Sequence, residues 1–381
     1  MYLSQIKIHS VRNLNETTLS FNPHLNVFYG ANGSGKTSLL ESIYVLATGK
    51  SFRTYHSAEI IQFKSDTFVI SGIVTAKAQD NGDLDCHSTP HHLRLGLERK
   101  RNGALRIHVN DQSCHSIAEL AKQLPVQLMN TDSYYLLEAS PEQRRQFLDW
   151  GVFHVEHSFF QTWQRYKRAL QQRNAALKQV KERGVDAVLI WNSEIIEMGE
   201  RLTEIRKDYL KQWTPAFLEF LQKLLKVSRV ELRFRVGWDE DQSLSEALTG
   251  SLLRDRLLGY TTAGPHRADF SFWIDGVPAK TVLSRGQLKL FIGAMFLAHS
   301  DILYKSTGNR GMFLMDDLCS ELDKKASQSF LQALGALEGG GQVIITAIDK
   351  DLVEGLLERK ERQLFHVEHG IIVPEERMCT V

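Results

Sequence analysis

The chain has 381 residues, 43% of them apolar, enough for a large core and for two domains or one domain carrying a long insertion. Lys and Arg number 46 against 45 for Asp and Glu, so the field of the whole molecule draws in no polyanion, and any such partner must be held by a local basic surface. Cys86, Cys114, Cys319 and Cys379 show neither C-x-x-C nor metal-finger spacing, which argues against a disulfide framework or zinc finger and suits a reducing, cytoplasmic setting.

The first residues lack the basic and apolar regions of a signal peptide. Residues 5–9 and 25–29 read as strands, with 18–21 a third. The apolar run 25–29 leads into Gly30-Ala31-Asn32-Gly33-Ser34-Gly35-Lys36-Thr37, a complete G-x-x-x-x-G-K-T loop. Behind it Leu39, Leu40, Ile43, Leu46 and Ala47 recur at helical spacing, to about residue 47, so strand, loop and helix follow in the order a phosphate-binding loop requires. Glycines 30, 33 and 35 let backbone N–H groups turn inward on phosphates at the positive end of the helix. Lys36 adds a point charge, and Thr37 offers a hydroxyl to the Mg²⁺ that accompanies a nucleotide. Gly30, Ala31, Asn32, Gly33, Ser34, Gly35, Lys36, Thr37 and Ser38 are therefore the expected ATP-binding residues.

A β-rich stretch follows. Leu93, Leu95 and Leu97 answer Leu105, Ile107 and Val109 across Asn102-Gly103, which predicts a two-residue hairpin turn. Its tip, Arg99-Lys100-Arg101, is either a solvated turn or a contact for a phosphate backbone. Gln127, in the apolar run 125–129, is placed like a Q-loop glutamine, a ligand for Mg²⁺ and water.

From about residue 141 to 225 the pattern is helical, with glycines only at 151, 184 and 199, and reads as an inserted arm. Residues 144–183 and 186–213 suit two long helices turning at Gly184, each up to ~55 Å, although Gly151 and Pro215 speak for interruptions. Residues 165–183 hold seven cations, Arg165, Lys167, Arg168 and Arg173 among them, against the single acid Glu182, while the returning helix is acidic. Either the two faces pair, or the first binds DNA.

A strand returns at 229–236, and a second α/β block runs from about Thr261. The segment 283–288 opens an apolar helix to about residue 304, interrupted by Lys289, His299, Ser300 and Asp301, so it spans no membrane. Ser284 and Gln287 form a capping box, and Ser284, Gly286 and Gln287 also fit the signature motif of ABC-type ATPases, where a serine, a glycine backbone and a helix N-terminus meet a γ-phosphate. The buried-strand run 312–315 ends in Asp316-Asp317. Asp316 is placed to hold Mg²⁺, and Asp317 to orient or deprotonate the attacking water. Ser320-Glu321-Leu322-Asp323 fits a D-loop, and 342–347 the next buried strand. Many such ATPases carry a histidine after that strand, where this chain has Thr346-Ala347-Ile348-Asp349. His154-Val155-Glu156-His157 recurs as His366-Val367-Glu368-His369, in segments of different secondary structure that do not suit one metal site.

A P-loop and a signature helix in one chain imply a two-fold homodimer, in which each copy lends its Ser284 helix to its partner's ATP. The expected class is α/β, an ABC-type head of two lobes with a mixed sheet: residues 1–140 its N-terminal part, 141–228 the helical arm, 229–381 its C-terminal part. The long insertion argues against a transporter ATPase subunit, and a small-molecule P-loop kinase would not need the signature segment.

The segments 32–37, Gly49-Lys50-Ser51-Phe52-Arg53, Gly264-Pro265-His266-Arg267-Ala268-Asp269, 283–287 and 316–323 together resemble the RecF family of bacterial recombinational repair proteins over the length of the chain. The resemblance implies an ABC-type head related to SMC proteins, ATP-dependent dimerisation on DNA, preference for single-strand gap and duplex junctions, and cooperation with RecR and RecO in loading RecA. It implies weak, DNA-stimulated ATP hydrolysis used as a switch. It also makes Arg12, in Arg12-Asn13, the arginine beside the nucleotide.

Overall fold

The computed structural model describes residues 1–76, 91–114, 116–317, 324–337, 340–350 and 362–375. Its chain forms two compact units, residues 1–134 with 307–381, and residues 135–306. Among the described residues no helix is long and apolar enough to cross a membrane, and no group of His, Cys, Asp and Glu could hold a metal ion.

The first unit begins with β1 (Tyr2–His9), β2 (Thr17–Ser20) and β3 (Leu25–Tyr29), then helix α1 (Lys36–Thr48) and β4 (Thr67–Ala76). It continues through β5 (His91–Lys100), β6 (Leu105–Val109), β7 (Gln112–Cys114), α2 (Ile117–Gln123) and β8 (Val126–Met129). One sheet is antiparallel, in the order β2-β1-β4-β5-β6-β7. The expected hairpin forms, with Leu97 opposite Ile107 and Leu95 opposite Val109, but not through a two-residue turn. Gly103 N donates to Lys100 O at 2.9 Å and Lys100 N to Ala104 O at 2.9 Å, with Gly103 at φ 89°, so a longer turn closes on a left-handed glycine.

The second unit holds α3 (Pro141–Val155), α4 (Phe159–Lys178), α5 (Val180–Arg183), α6 (Asp186–Leu189) and α7 (Asn192–Leu224). Next come β9 (Val230–Arg235), α8 (Leu244–Gly250), α9 (Leu252–Leu258), β10 (Asp269–Ile274), β11 (Val277–Pro278), α10 (Ala279–Val282) and α11 (Arg285–Thr307). Its antiparallel sheet has the order β11-β10-β9. The outgoing arm is not one helix: the Glu156 carboxylate accepts Ser158 N and Oγ at 2.9 and 2.8 Å, ending α3 and starting α4. The returning helix, in contrast, runs unbroken for 33 residues through Pro215. Pro215 is exposed, the proline-disturbed turn therefore faces water, and the buried stripe Leu210, Trp213, Phe217, Phe220 and Leu221 continues past it.

Residues 229–306, expected with the head, belong instead to the same unit as the helical arm. Arg144 of α3 holds Asp269 of β10 through two bonds of 2.8 and 2.9 Å, and Arg145 donates to Ala268 O at 2.7 Å. Arg206 of α7 pairs with Asp149 at 2.8 Å and donates to Pro265 O, while His266 bonds Tyr166 of α4 at 2.6 Å. The 264–269 segment is thus a clasp between arm helices and the small sheet.

The chain closes the first unit with β12 (Met312–Met315), α12 (Lys324–Gly335), β13 (Gln342–Ala347), β14 (Arg362–Glu368) and β15 (Ile371–Pro374). The second sheet of this unit runs β15-β14-β3-β13-β12-β8, parallel except for β15. Phe28 stacks on Phe365 with centroids 4.4 Å apart, and Leu39, Leu40, Ile43 and Leu46 of α1 fill the core between the sheets. At the start of β13 the Gln342 amide bonds the N–H and C=O of Leu3, each at 2.9 Å, fastening one sheet to the other.

Candidate nucleotide site

Every parallel strand of the second sheet points its carboxyl end at one edge, and there the loop after β3 and the acids after β12 meet. β13 lies between those two strands, so they stand two strand spacings, ~9.5 Å, apart. Two side chains close that gap. Thr37, on the first turn of α1, has its hydroxyl 3.1 Å from both oxygens of Asp316. Thr346, near the end of β13, donates to Asp316 Oδ1 at 2.8 Å and accepts Asp317 N at 2.9 Å. Burial raises the Asp316 carboxyl above its ordinary range, against the lowering effect of the two threonine bonds. Asp317 turns the chain at φ 53°, a left-handed conformation that aspartate tolerates better than most residues.

The loop itself is tightly held. A Cβ on Gly30 would stand 2.1 Å from Val367 O, and one on Gly35 2.9 Å from Leu14 Cδ2, both at positive φ. Lys36 Nζ folds back onto Gly30 O at 2.6 Å and Ala31 O at 2.9 Å, and burial lowers its pKa, with Asp317 and Asp316 opposing. Among the described residues the buried Ser34 Oγ has no hydrogen-bond partner, and α1 carries no acid in its first turn. A cradle with an ammonium, an orphaned hydroxyl and a helix N-terminus that carries no acid of its own fits an anion. A threonine hydroxyl beside a carboxylate fits a hard cation next to it.

Arg12 is brought to this region without facing the loop. Its guanidinium makes two bonds, 2.9 and 2.8 Å, to Glu41 of α1, a fully buried carboxylate that also accepts from Ser51 and, at 3.4 Å, from Arg53. The neighbouring Asn13 makes the loop contact, donating to Gly33 O at 3.1 Å and accepting Ser38 Oγ at 2.8 Å. Asn13, Glu41 and Thr346 are the site residues that sequence reasoning did not assign.

Gln127 does not belong with this group. It pairs in register with Phe313, three residues before Asp316, and strand alternation points it away from Val126 and Leu128, which pack toward α1. Both its amide atoms are buried, without partners among the described residues. The expected Mg²⁺ ligand therefore lies well below the sheet edge, on the face opposite α1. Asn130, directly after β8, is the residue of that strand beside Asp316, whose N–H bonds Met129 O at 2.9 Å.

In the second unit, Ser284 and Gln287 form the capping box in both directions: Gln287 Oε1 accepts Ser284 N at 2.9 Å and Ser284 Oγ accepts Gln287 N at 3.3 Å. Both residues and Gly286 are exposed, and a Cβ on Gly286 would meet nothing within 4 Å. The D-loop segment 320–323 lies outside the described residues.

The expected cationic contacts divide. Arg173 is fully buried, bonded to Asp255 at 2.8 Å, Thr261 at 2.7 Å and Asn192 at 3.0 Å, because it falls on the same helical stripe as Tyr166, Ala169 and Ala176; it offers nothing to DNA. Arg165 pairs with Glu194 of α7 through bonds of 2.7 and 2.9 Å, the pairing of faces that the opposite charges allowed. Lys167 lies 4.6 Å over the Trp163 ring, and Arg168 is exposed. At the hairpin, Arg99 reaches Gly49 O at 3.4 Å and Arg101 bonds Ser65 O at 2.8 Å, while Lys100 is exposed and makes no such bond among the described residues.

Comparison with known proteins agrees with this architecture. The family model described as the RecF/RecN/SMC N terminal domain matches residues 2–372. The DNA replication and repair protein RecF of Psychromonas ingrahamii is 38% identical over 376 residues, 98% of this chain and all of that protein. RecF of Pseudomonas fluorescens is 40% identical over 375 residues, 98% of each chain. The solved structure of the recombination mediator protein RecF with ATP, in the RecFOR pathway, superposes with TM-score 0.85 at 27% identity, covering 98% of both chains. An SMC head bound to a ScpA winged-helix domain shares the fold alone, with TM-score 0.58 and 12% identity. Matched over nearly its whole length by that domain and by proteins of one name at 38% and 40% identity, the chain belongs to the RecF family of DNA replication and repair proteins.

Proposed function

We propose that this member of the RecF family is an ATP-operated DNA clamp, in which two copies close around two nucleotides. The observation that carries the reading is the convergence of Lys36, Thr37, Thr346, Asp316 and Asp317 at one sheet edge beside the N-terminus of α1. Thr37 and Asp316 would hold Mg²⁺, which supplies charge to neutralise the phosphates. Lys36 exchanges its two loop carbonyls for a phosphate, and Asp317 orients the attacking water and takes its proton.

The dimer reading draws on the other unit. Ser284, Gly286 and Gln287 stand exposed at the start of α11, and nothing among the described residues requires position 286 to be small. A glycine that its own fold leaves in open space suits close approach by a group from outside, here the triphosphate held by a second copy. ATP then joins the two chains and hydrolysis parts them, so slow, DNA-stimulated turnover serves as a switch. DNA at single-strand gap and duplex junctions is the ligand of the closed form, and RecO, RecR and RecA act with it.

Light scattering tests the clamp. With Asp317→Asn blocking hydrolysis, adding ATP and Mg²⁺ is expected to double the mass in solution, and adding Ser284→Arg to the same chain to prevent it. An unchanged mass for Asp317→Asn, with ATP demonstrably bound, refutes the dimer.

A further inference from the structure

One corner of the first unit is held in a conformation that its own residues resist. Residues 62–65 form a β-turn closed by Ser65 N donating to Gln62 O at 3.1 Å, and its third residue, Lys64, sits at φ 71° where glycine or asparagine is usual. Such a lysine costs about 1–2 kcal/mol. The hairpin tip imposes it: Arg101 Nη2 donates to Ser65 O at 2.8 Å and to Gln62 O at 3.4 Å, bracketing the turn, while Arg101 N donates to Asp66 O at 2.8 Å. The turn is thereby braced, and its second residue is Phe63, 86% exposed.

An exposed phenylalanine alone means little. A phenylalanine presented on a braced, strained turn among cations is a different case. Residues 49–66 and 99–103 carry Lys50, Arg53, Lys64, Arg99, Lys100 and Arg101 against only Glu59 and Asp66, in a chain whose total charge is balanced. Lys64 and Lys100 are both exposed, and the Lys64 ammonium lies 6.0 Å from the Phe63 ring centroid. The surplus of cations favours a polyanion over an apolar protein surface, and the ring favours one with free π-faces. In duplex DNA those faces are already stacked; in a single strand they are available.

We propose that Phe63 is a stacking platform for an unpaired base of single-stranded DNA, with Lys64 and Lys100 on the adjoining phosphates. The assignment rests on the DNA-binding reading above and adds to it the surface on which the unpaired strand lies. The test uses the full chain with ATP, an oligo(dT) strand and a blunt duplex of equal length, with affinity read by fluorescence anisotropy over a range of salt. Phe63→Ala is expected to weaken oligo(dT) binding about tenfold, the loss of one stacked base, with duplex affinity unchanged and Phe63→Trp restoring the single-strand affinity. Lys64→Ala and Lys100→Ala should each lower the single-strand salt slope by about 0.7. Equal oligo(dT) affinity in Phe63→Ala and wild type, or an equal loss on both DNAs, overturns the assignment while leaving DNA binding itself in place. A wild-type chain that binds neither DNA with ATP overturns the broader reading, and this one with it.

Discussion

Acidification should destabilise the second unit through His299, and the structure sets the size of the effect. His299 of α11 is 2% exposed, ringed by Phe147, Trp150 and Trp213, and its Nδ1 bonds the Tyr209 hydroxyl. Burial raises the Tyr209 pKa well above its ordinary value, so the phenol stays neutral and donates, which leaves Nδ1 the acceptor of an uncharged ring. Burial pushes His299 from 6.5 down to about 3. The unfolded chain therefore takes up a proton as pH falls through about 6.5, while the folded chain takes it up only near about 3, so stability falls as pH falls between those values. Between about pH 7 and pH 5 this one group removes about 2 kcal/mol. His299→Phe keeps an aromatic ring but strands the Tyr209 hydroxyl, a loss of about 1–3 kcal/mol near neutrality. The two stability curves should thus converge or cross on acidification. All six tryptophans lie in residues 135–306, so fluorescence-monitored urea unfolding reports this unit selectively. An equal pH slope in wild type and His299→Phe would refute the reasoning.

Three further outcomes follow from the contacts described. Because burial raises Asp316, its ionised form costs stability at pH values above the ordinary carboxylate range. Asp316→Asn should raise the melting temperature of the nucleotide-free protein while abolishing any stabilisation by Mg²⁺ and ATP, and a lowered calorimetric melting temperature would count against it. Arg173→Met leaves the Asp255 carboxylate buried without its cation and should cost about 3–5 kcal/mol in urea unfolding, with no change in the salt dependence of DNA binding; a reduced salt slope would return Arg173 to the DNA surface. Gly286→Val should leave the free chain's stability within about 0.5 kcal/mol, since nothing surrounds the position, yet block the ATP-dependent rise in mass; a dimer of undiminished affinity in sedimentation would show that nothing approaches that glycine.

The nucleotide loop was legible because its chemistry is contiguous: residues 30–37 carry the turn glycines, the ammonium and the hydroxyl in one run, between an apolar strand and an apolar helix. Asp316 was legible for a related reason, a charged pair ending a four-residue buried strand. Thr346 was not, since its role comes from β13 lying between β3 and β12, an order set by long-range pairing. Gln127 was misplaced because the order of segments along the chain says nothing about which face of a strand a side chain takes, or how far from the sheet edge it lies. Arg173 was misassigned by counting charge without phase; its spacing from Tyr166, Ala169 and Ala176 already put it on the buried stripe. The break at residues 156–158 and the passage of α7 through Pro215 went the other way from expectation, because a local carboxylate cap ended one helix and a continuous apolar stripe carried the other past a proline on its wet side. The unit boundary at 306 was hidden by the ion pairs of Arg144 and Arg206, which join segments more than fifty residues apart.

β13 has its two ends fixed to different things. Gln342 at its start is riveted to the backbone of the opening strand, and Thr346 near its finish holds both the carboxylate that would face a cation and the amide of the next acid. A strand this short, buried at all six positions, has no slack in which to absorb a shift of either end. Any rearrangement of Asp316 as the site fills would be passed along a taut rod ~13 Å long, from Thr346 to Gln342, to the antiparallel sheet, the part of the molecule that also bears the Arg101 brace and the exposed Phe63 corner.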